Sequence, residues 1–207
     1  MYFPDLSSRP AYNAKIRRNP LKSELVETWK RIPTMRFRHD FRKEEQVDSE
    51  MARALRMRDY CEKQAQKIAH LRRNTSPSGR NWRRWLAHAD VTYCMLLRLR
   101  FLYGQYRYAL MEFQHDKKYK GKIPEKHRLV THGIKTGGRY RGGRAAVKEI
   151  EEAKAAMNYA FQQHRDTPWE LLLRRISSFT KGSYIWKVGP IPKPRKHGGK
   201  SYSPPPV

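Results

Sequence analysis

Residues 43–73 contain neither proline nor glycine, and their apolar side chains return at every third or fourth position. Val47, Met51, Ala54, Leu55, Cys61, Ala65, Ile68 and Leu71 make up that stripe, the pattern of a helix with one buried face. Acids crowd its start (Glu44, Glu45, Asp48, Glu50) while Arg72 and Arg73 close it, a polarity that suits the helix dipole. A second long helix is predicted over residues 81–113, with Trp82, Trp85, Leu86, Ala89, Tyr93, Leu96, Leu97, Phe101, Tyr103, Leu110 and Phe113 on its apolar side. The intervening NTSPSG, residues 74–79, reads as a tight connection. Two long helices joined by a short turn bury their stripes most simply as an antiparallel hairpin. At about 1.5 Å per residue each helix spans roughly 45–50 Å.

Shorter elements flank this hairpin. A helix is predicted from Pro20, with Leu21, Leu25 and Trp29 on one face, ending before Pro33. Residues 1–19, with Pro4 and Pro10, read as irregular, and residues 34–42 as an extended basic segment. A third long helix is predicted over residues 145–164, carrying Ala146, Ile150, Ala153, Met157, Ala160 and Phe161 on one side. Thr167-Pro168-Trp169-Glu170 then reads as a capping box opening a helix to about residue 178. Residues 116–144 show neither helix nor strand period and read as one long basic loop. Prolines and glycines forbid helix beyond Gly189. The expected fold is all-α: a long antiparallel hairpin plus one or two packed helices, with extended basic N- and C-terminal arms. Its parts are a basic arm with a short helix (1–42), a helical domain (43–180) and a Pro/Gly-rich basic tail (181–207).

The charge gives the first functional constraint. The 207 residues hold 45 Lys and Arg against 19 Asp and Glu, a net charge of +26. Residues 145–180 are neutral, whereas 1–42, 116–144 and 181–207 together carry +20. Charge concentrated on the segments with the least regular pattern points to an extended polyanion as partner. Other classes are disfavoured. No run approaches the roughly 18 apolar residues of a membrane span. Two cysteines cannot build a disulfide-stapled scaffold or a four-cysteine zinc site. Residues 1–20 lack the apolar centre of a secretory signal, so a cytoplasmic protein is expected, with the mitochondrial matrix as the alternative.

Catalysis finds no support in the residues. Cys61 and Cys94 fall inside apolar stripes, as buried structural thiols do. The eight histidines are scattered, and the loop pair His127 and His132 lacks a metal-ligand spacing. The glycines of GGRYRGGR match neither a P-loop nor a dinucleotide fingerprint. The expectation is a protein that is not an enzyme, with no cofactor, no metal and no small-molecule substrate.

Nucleic-acid features are more numerous. Arg139, Tyr140, Arg141 and Arg144, spaced by Gly142 and Gly143, combine bidentate guanidinium groups, a stacking ring and a close-approaching backbone. Lys117, Lys118, Lys120 and Lys122 alternate with Tyr119 and Gly121, a texture suited to an extended backbone tracking phosphates, and Lys135 lies in the same loop. Arg83 and Arg84 beside two tryptophans, Arg36 and Arg38 in the N-terminal arm, and Lys193, Arg195 and Lys196 in the proline-stiffened tail complete the candidate contacts. RNA is favoured over DNA because no helix-turn-helix, zinc-finger or basic-zipper pattern is visible, and because aromatic and glycine residues in basic arms suit irregular RNA. The expected function is non-catalytic RNA binding by a ribosomal or ribosome-associated protein, with rRNA and neighbouring proteins of a ribonucleoprotein as partners and no membrane. The alternatives are a DNA-binding nucleoid-associated protein and a helical protein–protein adaptor.

Part of the chain also carries a resemblance. Trp82 near the start of a long helix, Ala155 and Ala156 in a later one, and His164, Thr167, Pro168, Trp169, Leu171 and Leu172 recur in one order. Residues 81–178 thereby resemble the C-terminal helical region of a group of large planctomycete bacterial proteins with a His-Pro-Gly-Thr-Pro-Trp motif. Arg165 and Asp166 stand where that motif has Pro-Gly. The resemblance implies a helical fold and a bacterial origin, and it transfers no catalytic residue.

Overall fold

A computed structural model describes residues 9–75, 81–135, 140–178 and 182–192. The two long helices form as their patterns require: α3 spans Glu44–Asn74 and α4 spans Trp82–His115. Before them lie α1 (Arg9–Arg17), α2 (Pro20–Arg31), a 3-10 turn over Ile32–Thr34 and the two-residue strand β1 (Asp40–Phe41). After them come β2 (His127–Lys135), α5 (Gly143–Gln163), α6 (Pro168–Ser178) and β3 (Gly182–Pro190). The fold is mostly helical but not all-α, because the three strands form an antiparallel sheet in the order β1-β2-β3. Leu129 pairs with Val188 and Phe41 with Leu129, so segments far apart in the chain close one sheet.

Helix α4 is the hub rather than half of a two-helix hairpin. Residues Leu96, Leu97, Phe101, Tyr103, Tyr106, Ala109, Leu110 and Phe113 are buried, and they occupy more than one face. A helix apolar all round must be enclosed on several sides. Here α3 and α5 flank it, each running antiparallel to it: Arg72 meets Asp90 while Asp48 meets Gln114, and Glu152 meets Arg100 while His164, just past α5, meets Asp90. The sheet covers its C-terminal half, where Trp186 meets Phe113 at 5.4 Å and Tyr184 meets Tyr106 at 5.1 Å. Each fully buried Leu or Phe there contributes about 1.5–3 kcal/mol. Two polar contacts tie α2 to α3 and α4: Gln64 donates to Thr28 Oγ1 at 2.7 Å, and Trp29 Nε1 donates to Thr92 Oγ1 at 2.7 Å.

Four expectations are corrected. The region up to residue 19 is helical over α1, because Pro10 falls in the first turn, where a missing N–H costs nothing. Residues 116–144 are not one loop: β2 occupies their middle, with buried Leu129 and Thr131 alternating against more exposed Val130 and His132. The segment after 181 opens with β3, whose Tyr184, Trp186 and Val188 pack on the core. At α6 the Thr167 hydroxyl does not cap the helix but donates to the His164 carbonyl at 2.6 Å. The reciprocal bond is displaced as well: the Glu170 carboxylate accepts from the N–H of Asp166 at 2.8 Å, one residue before the expected N-cap, while the Thr167 N–H goes to the His164 carbonyl at 3.3 Å. The tight connection expected over residues 74–79 falls mostly outside the described residues.

Candidate nucleic-acid interface

The lysine-rich stretch after α4 is a folded turn. Asp116 accepts from the N–H groups of Lys118 at 2.9 Å and Tyr119 at 3.0 Å through its side chain, and from Lys120 N–H at 2.7 Å through its carbonyl. Lys120 (φ 47°) and Gly121 (φ 75°) take left-handed conformations, and Gly121 N–H returns to the Phe113 carbonyl at 3.3 Å. The two left-handed residues fold the turn back onto the last turn of α4. Tyr119 packs inward against Phe113 and Trp186, and Ile123 N–H donates to Glu44 at 3.0 Å, tying the turn to the start of α3. With the aromatic turned in, Lys117, Lys118, Lys120 and Lys122 are left exposed around the rim. The expected extended backbone is therefore replaced by a rigid turn that clusters the same four ammonium groups.

The surroundings of this turn add cations that local pattern did not flag. Exposed Arg42 and Lys43 precede α3, and Lys126, exposed at φ 58°, precedes β2. The Lys126 carbonyl accepts from Ile191 N–H at 2.9 Å, so the chain reaches Pro192 at this same end of the molecule. Lys193, Arg195 and Lys196 follow immediately but lie outside the described residues. Antiparallel packing of α3 on α4 is the signal that could have found Arg42 and Lys43, since it sets the start of one beside the end of the other.

The glycine–arginine segment behaves differently. Tyr140 is half-buried and meets Phe101 edge-on at 5.2 Å, so it belongs to the core rather than to a stacking platform. Arg141 is consumed internally. Its guanidinium pairs with Glu112 at 2.6 Å, donates to Ser183 Oγ at 3.1 Å and reaches the Tyr184 carbonyl. Its backbone exchanges bonds of 2.7 and 2.9 Å with Gln105. Gly142 holds φ 90° over the Tyr108 ring, where an added Cβ would fall 2.7 Å from a ring carbon. Arg144 is exposed, Lys135 ends β2, and Arg139 lies outside the described residues.

The remaining arginines stand apart. Arg83 and Arg84 are exposed in the first turn of α4, which holds no acid, and they mark the opposite pole from the lysine turn. Thirty-four residues of α4 put the poles about 50 Å apart at 1.5 Å per residue. Beneath them Trp29, Trp85 and Trp169 surround His88 at 5.4–5.6 Å, with the Trp169 ring stacked on it. Burial, and then the Arg84 charge, push the His88 imidazole down to about 4, which keeps the ring neutral among its aromatic neighbours. Arg36 and Arg38 are exposed along the segment before β1, each with Nε donating to a backbone carbonyl, those of Pro33 and Asp40. The candidate cations thus separate into a lysine pole, an arginine pole and a structural middle.

No group of three or more His, Cys, Asp or Glu among the described residues is arranged to hold a metal ion. Cys61 and Cys94 are buried, and desolvation pushes both thiols up to about 12, leaving little thiolate at neutral pH. No described helix is long and apolar enough to cross a membrane. No protein-family description, no curated protein and no solved structure matches the chain.

Proposed function

We propose that this is a non-catalytic RNA-binding protein, a ribosomal or ribosome-associated component whose lysine pole and basic terminal arms contact rRNA phosphates. The observation that carries the reading is the lysine turn. Lys117, Lys118, Lys120 and Lys122 are exposed on a backbone fixed by Asp116 and Gly121, beside Arg42, Lys43 and Lys126. Among the described residues none of these four lysines enters an ion pair, whereas several buried or half-buried arginines do. Clustered ammonium groups on a rigid support bind phosphate with little ordering cost, and counterion release supplies much of the affinity. The sequence continues after Pro192 with Lys193, Arg195 and Lys196 among prolines, outside the described residues. The shape of RNA, with its irregular and single-stranded parts, fits separated cation clusters better than one groove-filling helix does.

Gradient sedimentation of cell extracts tests the reading. The protein should travel with ribosomal particles, and RNase should release it to the top of the gradient. Persistence of its large complexes through RNase but not DNase would replace RNA by DNA. Insensitivity to both nucleases would replace nucleic acid by an acidic protein partner.

A further inference from the structure

At the Asn74 end of α3, where α4 and α5 join it, a cavity of about 230 Å³ opens to solvent close to the arginine pole. Its polar wall is unusually well fixed. Asp90 is only 6% exposed; its carboxylate is ion-paired with Arg72, Nε lying 2.5 Å away and Nη2 donating at 3.0 Å, and it lies 2.9 Å from His164 Nε2. The Arg72 guanidinium also lies 5.9 Å from the centre of the Tyr159 ring. A flat cation is therefore held in one orientation by a carboxylate on one side and an aromatic ring on another. Tyr93 of α4 lines the same cavity, and Arg73 stands exposed at its rim.

Three features set the ligand class. Two tyrosines and an oriented guanidinium offer planar surfaces, which suit a planar ring better than an aliphatic chain. Two guanidinium groups face one carboxylate that is already engaged, so the mouth favours an anion. The volume lies below the roughly 300 Å³ at which pockets enclose drug-sized ligands, leaving room for one ring system. Tyr159 is 48% exposed, much for a tyrosine beside a core, and stacking on a ligand would cover it.

We infer that this cavity receives one unpaired nucleobase of an RNA strand, stacked among Tyr93, Tyr159 and Arg72, with its phosphate at Arg73. The inference rests on the RNA reading and deepens it: the lysine pole holds backbone, and the cavity, about 35 Å away along α4, takes an extruded base. Such a site distinguishes single-stranded from fully paired RNA, which a purely electrostatic surface does not do.

The test compares a fluorescein-labelled single-stranded oligoadenylate with its duplex with oligouridylate, using anisotropy on the full chain. Tyr159→Ala should weaken the single strand on the order of tenfold, in line with the loss of one base–aromatic stack, and leave the duplex unchanged. Tyr159→Phe should restore single-strand binding. Arg73→Ala, at an exposed position that leaves the core intact, should weaken the single strand and make its salt slope shallower by about 0.7. If the wild type binds the strand and neither Tyr159→Ala nor Arg73→Ala weakens it, the cavity inference fails while the RNA reading stands. Equal losses on strand and duplex also overturn it, as does adenosine monophosphate competing as well as the strand, which would mark a free-nucleotide site. A wild type that binds neither RNA overturns both readings.

Discussion

Two segments of one 29-residue stretch, 116–122 and 140–144, carry the same ingredients: basic side chains, a tyrosine and glycine in a left-handed conformation. Their fates differ. In the first, Tyr119 turns inward and four lysines remain on the surface; in the second, Tyr140 turns inward and Arg141 goes with it. The cause lies outside both segments. Glu112, Gln105, Ser183 and the Tyr184 carbonyl converge on Arg141, whereas the polar partners of the lysine turn, Asp116 and Glu44, are spent on backbone N–H groups. A basic residue contributes to a nucleic-acid surface only when the fold leaves it without an internal acceptor. Arginine, with five donors in a planar fork, is recruited inward more readily than lysine, a strongly hydrated point charge. The pairs Arg100–Glu152 and Arg72–Asp90, each with one buried partner, show the same preference elsewhere in the molecule.

The comparison breaks most visibly at Arg141. Replacing it by alanine removes the link between α4 and β3, leaves the Tyr184 carbonyl without that donor and leaves the buried Ser183 hydroxyl with Gln105 as its partner. Stability should fall by about 3 kcal/mol. For a chain of this length that lowers Tm by roughly 10 °C. RNA affinity measured below the transition should stay within twofold of wild type. A large loss of affinity with unchanged Tm would instead return Arg141 to the binding surface. Both quantities come from one purified variant, by calorimetry and anisotropy.

Gly142 gives a smaller effect of the same kind. Alanine there must accept φ 90° and a ring carbon of Tyr108 at 2.7 Å. The expected cost is about 2 kcal/mol, read from the shift in urea midpoint at constant m. A neutral result would mean that the segment relaxes without strain, which would weaken its assignment as a structural staple.

How much of this was legible beforehand follows the range of the interactions. Helices α3, α4 and α5 announce themselves because a 3.6-residue period repeats over many turns, and their caps and breakers are local. The strands do not. In β2 only Leu129 is a large, fully buried apolar residue; its neighbours on that face are Thr131, whose hydroxyl meets the Arg38 carbonyl and His39, and Gly133. β3 does alternate Tyr184, Trp186 and Val188, but the prolines and glycines that follow gave the whole segment the texture of a tail. Both become strands because they pair with each other across some 50 residues and find Phe41 at the edge, a long-range fact. The site shows the same division. Exposure of the Lys117–Lys122 cluster agrees with its composition, while the internal use of Arg141 and Tyr140 depended on partners 29 to 43 positions away. The Arg72–Asp90–His164 cluster left no sequence signal, since its three members come from three helices.

Salt dependence of RNA binding is the most direct measurement of the central claim that exposed lysines at one pole, and not the basic residues of the middle, hold the phosphates. The variant replaces Lys117, Lys118, Lys120 and Lys122 together by alanine. All four are exposed, so stability should change by less than about 0.5 kcal/mol for each. The slope of log affinity against log salt should become shallower by about 3, near the value for four phosphate contacts on single strands. Arg141→Ala, measured beside it, should leave the slope unchanged. An unaltered slope in the four-lysine variant, or a shallower one in Arg141→Ala alone, would contradict the account.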